Sequence, residues 1–378
     1  MKIAINITRE HLAGITSTNL NLLNHLHGSD VSFIGIELNP QRVFKSPISY
    51  RHLSPEWFDH RIISICDFQL LAIVKKSKSL KDVEKHFSSI IDLVRELLRK
   101  EKPDKLIING TYYIPWILSI AAKKEKIPVA LWYAGVLTKE TEKMTAHNRK
   151  IFSDMEKGII KNSEQIIFPS QICKKIVLDQ VLNNAVTRKG VVIPNPISPL
   201  FTRISHIEQS VERNIAFVGR NTPIKNMDQF CVLHKQLLKQ GWNHEATIVS
   251  DVSKEKMKKI PKTIKVISSM IPADIRTFYA TQGLIISPSH FETFGNTPLE
   301  AACMGIPVLV SDTMGCSDVL IAAGLKDMVI NFRDNDSVLE RIKNLCGQHI
   351  LPRQINNLRK IVDPKYVANK MSSIFSIQ

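Results

Sequence analysis

Apolar runs of only four or five residues, each followed by a stretch of helical spacing, recur along this chain. They include 105–109, 129–132, 215–218, 246–249, 264–267, 283–287 and 307–310. Runs so short and so continuously apolar suit strands buried on both faces, and their alternation with helical segments demands parallel strands joined by crossover helices. The pattern occupies both halves of a chain whose 378 residues exceed one typical domain, and the 44% hydrophobic content is enough for two cores. It predicts an α/β chain of two doubly wound domains, with the strand ends of both facing a central cleft and the change of domain near Pro199.

One of these runs leads into the most chemically loaded segment of the chain, I-S-P-S-H-F-E-T-F-G-N-T-P-L-E-A-A-C-M-G-I-P-V-L-V-S at 286–311. A buried strand over 283–287 is followed by a polar loop, and Thr297 with Pro298 behind it reads as an N-cap with proline at the first helical position. The N–H groups of a helix start and the positive end of its dipole make an anion site of the backbone at Phe294, Gly295, Asn296 and Thr297. Glu300 stands three residues after Thr297. That spacing fits a capping box worth roughly 1 kcal/mol as well as it fits a ligand contact. Glu292, in a loop between Phe291 and Phe294, has no capping task, and a carboxylate at the carboxyl end of a parallel strand is placed to grip hydroxyl groups.

A second piece lies upstream, N-I-A-F-V-G-R-N-T-P-I-K-N at 214–226. A short strand ends at Gly219, which permits a sharp exit, and Arg220 and Lys225 follow on a loop before a helix over 227–238. Two positive charges at a strand's carboxyl end suit a diphosphate, one as a planar fork and the other as a compact point charge.

The two pieces, in this order, resemble the retaining glycosyltransferases of the GT-B fold, family 4 (glycosyltransferases group 1). The pattern P-S-x-x-E-x-F-G-x-x-x-L-E-A-x-x-x-G-x-P-V carries the Glu-x7-Glu spacing of that family at Glu292 and Glu300, with Gly295, Ala301, Gly305, Pro307 and Val308 in place. The resemblance implies two Rossmann-like domains, a nucleotide-sugar donor and transfer with retention. It implies that Arg220 and Lys225 neutralise the leaving diphosphate and that Glu300 holds the ribose. Glu292 and the backbone from Phe294 to Thr297 would position the sugar, and 268–272 would lie beside the nucleobase. The loop 8–16 before a helix over 17–27 resembles the glycine loop that closes over the donor, with the single Gly14 where the family has two glycines. The expected domains are 1–198 on the acceptor side and 199–363 on the donor side, with the helix 364–378 crossing back.

Other landmarks follow the same family, some with departures. Phe168, Pro169 and Ser170 end a strand, with Ser170 as the next helix's cap. V-V-I-P-N-P at 191–196 resembles the strand end before the domain crossing, with Pro196 in place of a glycine. After 129–132 the family carries a histidine facing the reacting sugar, whereas this chain reads L-W-Y-A-G and offers only the hydroxyl of Tyr133, a poor base at neutral pH. His147, in a charge-rich segment, reads as surface. Two readings stand beside transfer: a sugar-nucleotide epimerase or hydrolase on the same fold, and a catalytically silent sugar-nucleotide-binding subunit.

The net charge is +16, and 29 Lys and Arg against 19 Asp and Glu precede Pro196. Only 7% of residues are aromatic and no zinc, helix-turn-helix or RNA-binding signature is present, so nucleic acid is not the expected partner. A glycan, lipid-linked or protein acceptor is, with peripheral contact to an anionic membrane through basic segments such as 75–85 and 123–126. No run of about 20 apolar residues and no signal-peptide core is present, which predicts a cytoplasmic protein. The six cysteines form no C-x2-C pair and the histidines no H-E-x-x-H pattern, so neither a structural zinc nor a disulfide framework is expected. Asp334-Asn335-Asp336 spells the D-x-D triplet of metal-dependent transferases, but between a strand over 328–331 and a helix over 337–345 it reads as a helix cap. No cofactor and no metal are expected.

Overall fold

The computed structural model describes residues 1–7, 14–26, 31–40, 59–65, 70–183, 190–204 and 214–375. The chain divides into two compact units, Met1–Ile193 with Ala368–Gln378, and Pro194–Val367. The change of unit falls after Ile193 rather than near Pro199, and the return to the first unit lies inside the helix Pro364–Phe375.

In the first unit, β1 (Lys2–Asn6), β2 (Ser32–Pro40), β3 (Asp59–Ile65), β4 (Lys105–Asn109), β5 (Val129–Trp132), β6 (Gln165–Phe168) and β7 (Gly190–Val192) form a parallel sheet. Its order is β3-β2-β1-β4-β5-β6-β7. In the second, β8 (Ile215–Val218), β9 (Ala246–Val249), β10 (Ile264–Ile267), β11 (Leu284–Ser287), β12 (Val308–Ser311) and β13 (Val329–Ile330) are likewise parallel. They run β10-β9-β8-β11-β12-β13. Both sheets reverse direction of growth at one point, between β1 and β4 and between β8 and β11. A crevice at the carboxyl ends of the strands belongs there in each unit. Every residue of β5, β9, β11 and β12 is buried, because helices on both faces leave no solvent side for polar alternation.

The stretch 39–100, without a readable pattern in the sequence, holds the end of β2, β3 and helices at Leu70–Lys76, Leu80–His86 and Ser88–Glu101. The last buries Ile91, Val94, Leu98 and Glu101, one face of a 3.6-residue period. Glu101 is a carboxylate in a core position. It accepts Lys2 Nζ at 2.7 Å and Arg61 Nε at 2.6 Å, which ties β1 and β3 to the helix, and these bonds hold its carboxyl below the usual range.

At the reversal in the first unit, three asparagines are joined by hydrogen bonds. Asn6 Nδ2 donates to the Asn109 carbonyl at 3.1 Å, Asn109 Nδ2 to Asn19 Oδ1 at 2.8 Å, and Asn19 Nδ2 to the Asn6 carbonyl at 3.0 Å. All three are buried. The helix carrying Asn19 begins at Gly14 and ends at Leu26, three residues earlier at its start than the expected 17. Gly14 is therefore its first residue, and the rest of the expected glycine loop, 8–13, lies outside the described residues.

Candidate functional site

Among the described residues, the reversal in the second unit carries charged side chains where that of the first carries amides. β8 gives way at Gly219 to Arg220 and a 3₁₀ turn, Pro223–Lys225, and Asn226 in the left-handed region (φ 54°) turns the chain into the helix Met227–Lys239. β11 gives way to the loop that carries Glu292 and the helix Asn296–Cys303. Two hydrogen bonds stitch these loops together: His290 N–H to the Ile224 carbonyl at 2.8 Å, and Asn226 Nδ2 to the Pro288 carbonyl at 3.1 Å. Lys225 Nζ and Glu292 Oε2 lie 2.6 Å apart, with the two side chains 19% and 16% exposed. So little exposure makes this a weakly screened ion pair rather than a surface pair of negligible worth.

Three elements aim the Glu292 carboxylate. Besides Lys225, Ser289 Oγ donates to its Oε1 at 2.8 Å, and the Gly315 N–H bonds its main-chain carbonyl at 2.9 Å from the loop after β12. That loop also supports Ser289. Thr313 Oγ1 donates to the Ser289 carbonyl at 3.3 Å and shares a 2.7 Å bond with Ser311 Oγ at the end of β12. Ser289, Ser311 and Thr313 were not among the expected site residues, and only Ser289, in the P-S-x-x-E pattern, had a local signal.

The helix start differs from expectation. Gly295 (φ 99°), not Thr297, is the N-cap, and Asn296 is the first helical residue. Thr297 and Pro298 sit inside the helix, so the Thr297-to-Glu300 capping box does not form, and capping does not explain Glu300. Gly295 is compelled by its surroundings. A β-carbon there would stand 3.0 Å from both Cys316 Sγ and Met314 Cε in a backbone conformation that disfavours side chains. Gly219 is the opposite case. Its φ is not positive and a β-carbon would meet Phe217 no closer than 3.5 Å and Lys225 Cδ at 3.9 Å, so neither the strand exit nor packing requires a glycine there.

Of the other expected residues, Phe294 turns its ring into the core, 2% exposed, which leaves only its backbone to a ligand. Asn296 Oδ1 receives a long 3.5 Å contact from Asn195 Nδ2. Arg220 is exposed, and its guanidinium has no ion pair with a described residue. Glu300 is partly exposed, and burial pushes its carboxyl up to about 7, opposed by a hydrogen bond with the hydroxyl of the fully buried Tyr279.

Tyr133 does not supply a substrate hydroxyl. It is wholly buried, stacks on Phe168 at 5.4 Å between ring centres, and donates to Glu156 Oε1 at 2.5 Å. Glu156 also accepts Leu137 N–H at 3.0 Å, Thr138 N–H at 2.8 Å and Thr138 Oγ1 at 2.6 Å, so this pair braces the chain after β5. His147 is exposed on the helix Ala146–Asn162. Ser170 caps its helix, accepting Cys173 N–H at 3.0 Å. Asp334 is the N-cap of the helix Asn335–Leu345 and accepts Asp336 N–H at 3.2 Å and Ser337 N–H at 3.4 Å. Among the described residues no group of three or more His, Cys, Asp or Glu is placed to hold a metal, and no helix is long and apolar enough to cross a membrane.

Residues 212–348, which contain both charged loops, match the family model Glycosyl transferases group 1. The fold is similar to that of a mutant of S. aureus TarM in complex with Fondaparinux, alpha-GlcNAc-glycerol and UDP, with TM-score 0.71, 13% identity, and coverage of 99% of this chain and 100% of that one. The chain is a glycosyltransferase of the GT-B fold. Sucrose-phosphate synthase from Thermosynechococcus elongatus shares the glycosyltransferase's fold at TM-score 0.69 and 11% identity, over 100% of this chain and 98% of that one. In sequence, the glycosyltransferase is 23% identical over 300 residues to the capsular polysaccharide biosynthesis glycosyltransferase CapM of Staphylococcus aureus, covering 74% of this chain and 78% of that protein.

Proposed function

We propose that this glycosyltransferase moves a sugar from a UDP- or GDP-sugar to an acceptor hydroxyl with retention at the anomeric carbon, in the synthesis of a cell-surface glycan or glycolipid. One observation carries the reading: at the reversal of the second sheet the fold gathers an arginine, a lysine and a carboxylate. Among the described residues the β1/β4 crevice presents amides, whereas the β8/β11 crevice presents Arg220, Lys225 and Glu292. A dianionic leaving group belongs at the second.

In this reading Arg220 forks two phosphate oxygens, and Lys225 serves both the diphosphate and Glu292. An ammonium has three donors, so keeping Glu292 at 2.6 Å leaves two for phosphate. The same ion pair fixes Glu292 where a donor sugar's hydroxyls would meet its carboxylate. Gly219, which the fold does not require, leaves space beside the Lys225 stem. The Gly295 turn brings the backbone of Phe294, Asn296 and Thr297 to the positive end of a helix, and Glu300 takes the ribose hydroxyls. Fixed positive groups aimed at the departing diphosphate stabilise the charge that develops in the transition state, so no metal is needed.

CapM's name supports a glycan product, and the UDP in the TarM complex supports a nucleotide donor. The exposed Lys75, Lys76, Lys78, Lys81 and Lys85 suit peripheral contact with an anionic leaflet on the cytoplasmic side. Incubation with UDP- and GDP-sugars, with and without glycan or lipid-linked acceptors and in excess EDTA, tests the proposal. Acceptor-dependent release of the nucleoside diphosphate is expected. Release without acceptor would indicate hydrolysis, binding without turnover a silent subunit, and loss of turnover in EDTA restored by magnesium a different leaving-group mechanism.

A further inference from the structure

The carboxyl ends of β8, β9 and β10 lie side by side at one edge of the second sheet. Neighbouring strands are about 4.8 Å apart, so the end of β10 stands roughly 10 Å from that of β8, where Arg220 leaves the sheet. A nucleotide whose diphosphate is held at Arg220 and Lys225 can extend its nucleoside toward this edge or toward β12. The β12 side is committed to the fold. Each main-chain N–H from Asp312 to Gly315 is already bonded, to the Ile330 carbonyl, Ser311 Oγ, the Ser311 carbonyl and the Glu292 carbonyl in turn. The β9 and β10 ends spend far less. Ser250, 3% exposed, has a hydroxyl without a hydrogen-bond partner, and the main-chain N–H and C=O groups of Ser268 and Met270 bond to no described residue.

One side chain fixes that unspent backbone. Asp251, directly after Ser250, accepts the Ser269 N–H on Oδ1 at 3.0 Å and the Ser269 hydroxyl on Oδ2 at 2.6 Å. With both carboxylate oxygens on one residue, Ser269 is held in place and in orientation, and Ser268 and Met270 on either side are held with it. Ile271 follows as an exposed apolar side chain before the helix Pro272–Ala280. That helix packs toward the anion site, where the Tyr279 hydroxyl lies 3.3 Å from the Thr297 carbonyl. A fixed row of main-chain donors and acceptors beside an apolar side chain matches a flat heterocycle, whose edge carries hydrogen-bonding groups and whose face is apolar. We infer that Asp251 is a positioning residue for the donor's nucleobase: by clamping Ser269 it presents the main chain of Ser268 and Met270 to the edge of the base. Uracil offers one N–H between two carbonyls, whereas guanine offers an N–H and an amino group beside one carbonyl. A main chain held in one position cannot suit both.

The inference rests on the diphosphate reading of Arg220 and Lys225, and inorganic pyrophosphate, which has no base, separates the two. Affinities for UDP, GDP and pyrophosphate are measured by calorimetry for the wild type, Asp251→Ala, Asp251→Asn and Lys225→Gln. Asp251 is exposed, so its substitutions leave the core untouched. The wild type should prefer one nucleotide. Asp251→Ala should bind that nucleotide about tenfold more weakly, the worth of one or two hydrogen bonds, and lose most of the preference, while binding pyrophosphate as the wild type does. Asp251→Asn should keep the preference, because an amide can accept the Ser269 N–H and donate to its hydroxyl. Lys225→Gln should bind all three ligands more weakly. If Asp251→Ala keeps the wild-type affinity and preference, or loses pyrophosphate to the same extent as nucleotide, the positioning role is overturned while the diphosphate reading stands. Equal wild-type affinity for UDP and GDP overturns base recognition at this edge. Unchanged binding of all three ligands in Lys225→Gln removes the diphosphate reading and the inference with it.

Discussion

Replacing Glu300 by Gln should stabilise this protein while weakening its grip on nucleotide. Burial raises the carboxyl from 4.5 to about 7. The unfolded chain then ionises this acid from about pH 4.5 upward, whereas the folded protein does so only around 7. Between those values the folded state holds the extra proton, so the acid's contribution to stability declines as pH rises and is lost in full above 7. At roughly 1.4 kcal/mol per unit the loss approaches about 3 kcal/mol at pH 8, an upper bound because the side chain is partly exposed. An uncharged amide keeps the shape and a hydrogen bond for Tyr279 without that cost. Thermal unfolding of the two proteins should coincide near pH 4.5 and diverge above it, with Glu300→Gln melting higher by up to about 6–10 °C at pH 8. UDP or GDP affinity should fall in the same variant. A variant that melts lower at pH 8, or by the same amount at every pH, refutes the reasoning, since either is the behaviour of a structural acid.

Lys225→Gln should weaken UDP or GDP binding about tenfold to hundredfold in calorimetry, the worth of one charged hydrogen bond, and Arg220→Lys should weaken it although the charge is kept. Gly295→Ala, with its β-carbon 3.0 Å from Cys316 Sγ and Met314 Cε at φ 99°, should cost roughly 1–3 kcal/mol in denaturant unfolding and reduce turnover by moving the helix start. Asp334→Ala removes the cap of the helix Asn335–Leu345 and should cost about 1 kcal/mol, with turnover in EDTA equal to that of the wild type.

The strands that build the site were legible because each is a local signal. Ile215–Val218 and Leu284–Ser287 are buried on both faces, and no amphipathic segment can take such a place. Glu292 and Glu300 were legible for the same reason, since their eight-residue separation and the glycine before the helix are written in consecutive residues. The region 39–100 was not. Arg61 in β3 finds its partner in Glu101, forty residues on, and nothing near Arg61 announces it. Nor could local pattern find the N-cap, because Thr297-Pro298 is a good cap by composition while Met314 and Cys316, brought in by the next strand, leave room only for Gly295. Tyr133 read as a spare hydroxyl until Glu156 was seen to take it, and Tyr279, eighteen residues before Thr297 in sequence, is brought to the Thr297 carbonyl only by packing. Apolar periodicity thus determined the two sheets, and local spacing singled out the pair of glutamates as candidates. Which polar groups spend their hydrogen bonds inside the protein, and which keep them for a ligand, was decided by contacts between segments far apart in the chain, because burial compels a polar group to find a partner wherever the fold brings one.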